Sequence, residues 1–168
     1  MGLQATATQL GRGPATLVSP VPANGRQTRS VRLTALPSAV PWARRVVRHT
    51  LHEWRLESIE DPAALLVSEL VTNAIEASAG CTGRDNGTLA MIGLTIRLTA
   101  AGVVLEVWDA CPLRPVTQNF DIAADRGRGL MLIDALAESW GHRAADGGKI
   151  VWCEVAVRPA SDHVSAAG

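Results

Sequence analysis

The sequence predicts an α+β protein built as a two-layer α/β sandwich, with one mostly antiparallel sheet and helices on one face. Three observations point there. Short alternating runs that read as strands come in hairpin-like pairs. Helical periodicities interrupt these pairs without the strict strand–helix alternation of βαβ units. The chain has 168 residues, 47% of them hydrophobic, which suits a single domain with one core.

The elements follow in order. Residues 1–28 are rich in Gly, Pro, Ala, Ser and Thr without an apolar period, and read as a disordered N-terminal tail. The structured domain is expected over 29–158, and residues 159–168 read as a flexible C-terminal tail. Val31 to Leu36 alternates as a strand does, and Pro37 stops it. Ser38 is placed to cap a helix running through Trp54, whose apolar face is Ala43, Val46, Val47, Thr50, Leu51 and Trp54. Arg44, Arg45, Arg48 and Glu53 lie largely off that face and read as solvated. Asp61 is a good N-cap, Pro62 suits the first helical position, and the second helix is expected to reach Ala79 and end at Gly80. Thr88–Leu98 and Val103–Trp108 read as strands joined by a turn at Ala101-Gly102. Residues 110–127 hold Pro112 and Pro115, show no period, and form a long loop of the kind that is usually functional. A helix is expected from Gly129 to about Ser139, a short strand over Trp140–Arg143, and a last strand over Ile150–Val157 after a turn at Asp146-Gly147-Gly148.

Composition excludes several functions. The formal net charge is zero, which argues against a general electrostatic grip on nucleic acid or on an anionic membrane. The basic residues are all Arg except Lys149, a bias that GC-rich coding explains. No apolar run approaches the roughly 20 residues of a membrane span, and the N-terminus lacks the pattern of a signal peptide. Cys81, Cys111 and Cys153 are odd in number and irregularly spaced, a poor disulfide framework, and form no zinc-binding cluster. Reduced thiols in a cytoplasmic protein are expected.

Three places carry candidate chemistry. Glu69 and Asn73 are four residues apart on a helix and share a face whose neighbours Leu66, Leu70, Ala74 and Ala77 are apolar. Such groups need a partner, and magnesium with phosphate oxygens is one; a plain solvent-exposed pair at the helix edge is the other reading. Asp109 ends the hydrophobic run Val103–Trp108, where it could accept a hydrogen bond from a ligand or simply start a turn. Gly127-Arg128-Gly129-Leu130 stands just before a helix. There, glycines let backbone amides approach an anion and arginines add charge-assisted bonds, although a flexible joint would look the same.

Taken together and in order, these pieces resemble the Bergerat-type fold of histidine kinase-like ATPases, and within it the bacterial anti-sigma factor serine/threonine kinases. The resemblance rests on four stretches: Ser68-Glu69-Leu70-Val71-Thr72-Asn73-Ala74, Asp109-x-x-Pro112-x-x-Pro115, Gly127-Arg128-Gly129-Leu130, and Gly148-Lys149-Ile150-Val151-Trp152. It also includes the opening from Leu36-Pro37-Ser38 to Trp54, and covers about residues 30–158. It implies that Asn73 is a magnesium ligand and that Asp109 accepts the adenine amino group. It further implies that Gly127 and Gly129, with Arg128 and Leu130, close over the phosphates, and that Glu69 is the general base. Residues 112–127 would be a lid over ATP. Two positions depart from the family pattern: Cys111 stands where a Gly is common, and Ile150 where a Thr is common.

The resemblance implies an ATP- and magnesium-dependent protein kinase. It would sequester a sigma factor and phosphorylate a protein antagonist on Ser or Thr, often as a homodimer, without direct contact to nucleic acid or membrane. The alternative is a non-catalytic ATP-binding module that only sequesters a partner protein.

Overall fold

The computed structural model describes residues 15–18, 27–81, 89–111 and 129–157. In chain order these form β1 (Ala15–Val18), β2 (Thr28–Thr34), α1 (Ala39–Glu53), a single 3-10 turn (Glu57–Ile59), α2 (Glu60–Cys81), β3 (Met91–Leu98), β4 (Gly102–Asp109), α3 (Gly129–Leu136), β5 (Ser139–Ala145) and β6 (Gly148–Ala156). The strands make one six-stranded sheet in the order β1-β2-β3-β4-β6-β5. Every neighbouring pair is antiparallel. The expected α+β architecture is the one observed.

Strand alternation builds the core. Successive side chains point to opposite faces, so Val31 and Leu33, then Ile92, Leu94 and Ile96, then Val103, Leu105 and Val107 turn to one side. Together with Cys153 and Val155 of β6 they are buried in a single cluster with the helices. Helix α2 is the central element of the second layer and packs on α1, β4, β6 and α3. Its buried residues, Ala63, Leu66, Val67, Leu70, Val71 and Ala74 among them, are mostly small or unbranched at Cβ. Two buried hydroxyls of this helix are satisfied locally. Ser68 and Ser78 donate to the carbonyls one turn back, at 2.7 and 2.8 Å.

Several boundaries differ from expectation, each for a physical reason. Ala15–Val18, within the stretch read as a tail, pairs with β2 and covers an edge that would otherwise present unpaired backbone groups. Ser38 occupies the N-cap position of α1 but is itself in the helical region and makes no side-chain cap bond. Asp61 is not an N-cap. The 3-10 turn runs directly into α2, which places Asp61 inside the first helical turn, where its carboxylate takes Arg48 of α1 at 2.7 Å. Gly80 does not end α2, which continues to Cys81. Helix α3 stops at Leu136, so β5 claims Ser139 and runs to Ala145, longer than the strand expected.

Helix α1 ends without a glycine. Arg55 takes the left-handed conformation at φ +58°. Its N–H donates to His52 at 3.1 Å, and the N–H of Leu56 donates to Leu51 at 2.9 Å. These two bonds satisfy the last carbonyls of the helix in the Schellman arrangement, which usually recruits Gly at that position.

Candidate functional site

The site is assembled where the helix-facing row of the sheet runs out of apolar residues. Val103, Leu105 and Val107 point toward the helices, and the same period carries Asp109 to that side at the end of β4. Asp109 is only 1% exposed, so its carboxylate needs partners. One oxygen has them. Oδ1 accepts from the Cys111 N–H at 3.0 Å and from Lys149 Nζ at 2.7 Å. The other oxygen, Oδ2, is the one buried side-chain polar atom without a partner among the described residues. The turn role considered for Asp109 is therefore real, since the Cys111 bond is a side chain-to-backbone turn, but it uses only half of the carboxylate.

The partner strand explains how Lys149 arrives there. In the β4–β6 register Asp109 stands opposite Lys149, and cross-strand partners share a face. The residue before it, Gly148, lies so close to β4 that a Cβ added there would meet the Asp109 carbonyl oxygen at 1.9 Å. Only glycine lets the strands approach this closely. Ile150 stands opposite Trp108 on the alternate row, so its side chain belongs to the other face of the sheet from Asp109.

Helix α2, packed on β4, carries the other described candidates. Glu69 and Asn73 share one side of it and are half-buried, at the border between the core stripe and solvent. Neither side chain has a hydrogen-bond partner among the described residues. Among the described residues, no group of three or more His, Cys, Asp and Glu side chains could hold a metal ion.

Gly129 and Leu130 are the first two residues of α3, which packs beside α2. Gly127, Arg128 and the rest of the loop expected to form a lid lie outside the described residues.

The cysteines correct the expectation of reduced thiols. Cys81, the last residue of α2, is joined by a disulfide to Cys111, two residues beyond Asp109, with 5.6 Å between their Cα atoms. That separation suits a disulfide. The bond ties the helix of Glu69 and Asn73 to the strand end that carries Asp109. Spacing in the sequence gave no sign of it, because the two residues meet only once α2 lies on β4. Cys153 is free and buried on the helix-facing row of β6, and burial pushes its thiol pKa up to about 12.

Lys149 is the site residue whose role sequence reasoning missed. The signal was present in part, since it is the only lysine of the chain and stands on a strand whose alternate residues Val151, Cys153 and Val155 are apolar.

A buried carboxylate with one open oxygen can take a ligand N–H, and a carboxylate and amide one helical turn apart can serve a metal–phosphate group and a proton transfer. A comparison with protein families matches residues 33–154 to the histidine kinase-like ATPase domain. The chain belongs to that family, whose ATPase domain has the Bergerat-type fold, and membership implies ATP binding with kinase or ATPase activity. Among curated proteins no match is found. Among the described residues no helix is long and apolar enough to cross a membrane.

Proposed function

We propose that this chain is an ATP- and magnesium-dependent protein serine/threonine kinase of the anti-sigma factor type. It phosphorylates a small antagonist protein and holds a sigma factor inactive. The observation that carries the nucleotide reading is the Asp109 carboxylate, buried and fixed through Oδ1, with Oδ2 left unpartnered. An adenine amino group supplies the missing donor. Leaving such an atom unpaired costs roughly 1–3 kcal/mol or more, and a ligand that pairs it recovers that cost.

Asn73 is the side chain that would hold magnesium, which neutralises phosphate charge when bound. Glu69 sits one turn away on the same side of α2, so it can take the proton of an acceptor hydroxyl without competing for the metal. Serine or threonine as the acceptor and the sigma factor as the partner rest on the likeness of the four ordered motifs to the anti-sigma group.

The test combines binding and transfer on the same proteins. Calorimetry with magnesium and ATP should show Asn73→Ala at least tenfold weaker, about 1.4 kcal/mol. Glu69→Gln should bind ATP as wild type does and lose roughly 100- to 10,000-fold in phosphotransfer to the cognate antagonist. If Glu69→Gln loses binding and rate equally, Glu69 is not the base. A wild-type protein that binds ATP and phosphorylates no native antagonist is the non-catalytic sequestering module.

A further inference from the structure

The nucleotide reading uses Asp109 but leaves Lys149 without a role. Lys149 is mostly buried, with its side chain 16% exposed, and its ammonium makes two bonds at one point in the site. It donates to Asp109 Oδ1 at 2.7 Å and to the Cys111 carbonyl at 3.3 Å. A lysine at the end of an otherwise apolar row is costly to bury unless it is paired, and its pair is the same carboxylate that leaves Oδ2 open.

We propose that Lys149 is a positioning residue that sets base specificity, by holding Asp109 through Oδ1 so that the open Oδ2 faces the ligand as an acceptor that reads a 6-amino purine and rejects a 6-oxo purine. The inference rests on the nucleotide reading above and adds to it the residue that enforces the choice.

The chemistry is that of donors and acceptors. An ionised carboxylate has no hydrogen to give. With Oδ1 occupied by the ammonium and the Cys111 N–H, only Oδ2 remains for a ligand, and an exocyclic amino group satisfies it. A carbonyl in the same place sets two acceptors against each other. Lys149 makes this state cheap by placing a counter-charge on a carboxylate that is 1% exposed. Without the ammonium, Oδ1 keeps only the Cys111 N–H, the carboxylate is free to turn, and Oδ2 is no longer held at the exocyclic position, so the difference between an amino and an oxo group there counts for less. Loss of Lys149 therefore relaxes specificity, whereas a purely structural role would weaken both ligands alike. Gly148 and the β4–β6 register fix the distance over which this works.

The experiment titrates ATP and inosine triphosphate, each with magnesium, into the full-length wild type, Lys149→Met, Lys149→Gln and Lys149→Arg. The two nucleotides differ in the group at position 6 and in the hydrogen that N1 carries beside the oxo group. Wild type should prefer ATP, and the preference should fall at least tenfold in Lys149→Met, with ATP weakened and the inosine nucleotide gained relative to it. Lys149→Arg keeps the charge and should stay within about threefold of the wild-type ratio. Thermal unfolding of each variant checks the fold, and if Lys149→Met does not fold, the ratio for Lys149→Gln decides. An unchanged ratio, an equal loss for both nucleotides, or tighter ATP binding in the variants overturns the assignment of Lys149 while leaving ATP binding intact. Wild type that binds neither nucleotide overturns the nucleotide reading, and the specificity role with it.

Discussion

Gly148→Ala tests whether the close approach of β6 to β4 is what builds the Asp109 end of the sheet. A Cβ at residue 148 would lie 1.9 Å from the Asp109 carbonyl oxygen and 2.9 Å from the Asp109 carbonyl carbon and the Ala110 Cα. Ordinary carbon–oxygen contacts between strands begin near about 3.3 Å, so the strands must separate locally by about 1.4 Å. All three atoms are backbone, so no side chain can swing away. A separation of that size breaks one or two ladder hydrogen bonds at about 1 kcal/mol each and adds an overpacking cost of roughly 1–3 kcal/mol. Alanine's smaller unfolded-state entropy returns about 0.4–1 kcal/mol. The net loss is about 1–5 kcal/mol, and at roughly 2–4 °C per kcal/mol for a chain of this size the midpoint should drop by about 2–20 °C. Thermal unfolding followed by circular dichroism measures it. Gly80→Ala is the control, because Gly80 is helical and a Cβ there meets nothing within 4 Å; it should leave stability unchanged or raise it by up to about 1 kcal/mol. Should Gly148→Ala melt within about 0.5 kcal/mol of wild type, the tight β4–β6 approach is wrong, and the Lys149–Asp109 geometry derived from it fails as well.

Two further outcomes follow from the backbone and the buried thiol. Arg55 holds φ +58° with its side chain exposed, a conformation that costs a non-glycine residue roughly 1–2 kcal/mol. Arg55→Gly should therefore raise stability by about 0.5–1 kcal/mol after the entropy of glycine is subtracted, and chemical denaturation with an unchanged m-value checks it. Cys153 has a folded pKa raised from 9.0 to about 12 by burial, so its contribution is fully present below pH 9 and is lost as pH climbs from there toward 12. Relative to Cys153→Ala, wild type should lose about 1.4 kcal/mol per pH unit across that window; parallel pH profiles for the two proteins would contradict the burial.

Much of the architecture was legible because local period and core-facing period agree. The alternation of Val103, Leu105 and Val107 both forms β4 and aims it at the helices, and by the same rule it delivers Asp109 to the inner face. The spacing of Glu69 and Asn73 puts them on one side of α2 without reference to anything else in the chain. What the sequence did not show depends on contacts between distant segments. Lys149 meets Asp109 through a strand pairing that skips over α3 and β5, and no local pattern specifies that register. Cys81 meets Cys111 for the same reason. Arg55 was missed because glycine is the usual mark of the turn it makes, and Asp61 was misread because a capping residue and an ion-pairing residue look alike until the neighbouring helix is in place.

The Cys81–Cys111 bond also shapes the folding search. The 30-residue separation it spans contains the whole of β3 and β4, so the central hairpin sits inside a covalent ring. In the open chain, docking α2 on β4 requires that loop to be closed by diffusion, and the entropy of closure precedes any gain from contact. With the ring formed, that entropy is removed from the unfolded chain in advance, about 3.6 kcal/mol at 25 °C by the loop-closure relation. Helix and hairpin then meet as near neighbours along the chain, whereas the pairing of β6 with β4, which sets Lys149 beside Asp109, lies outside the ring and keeps its own closure entropy.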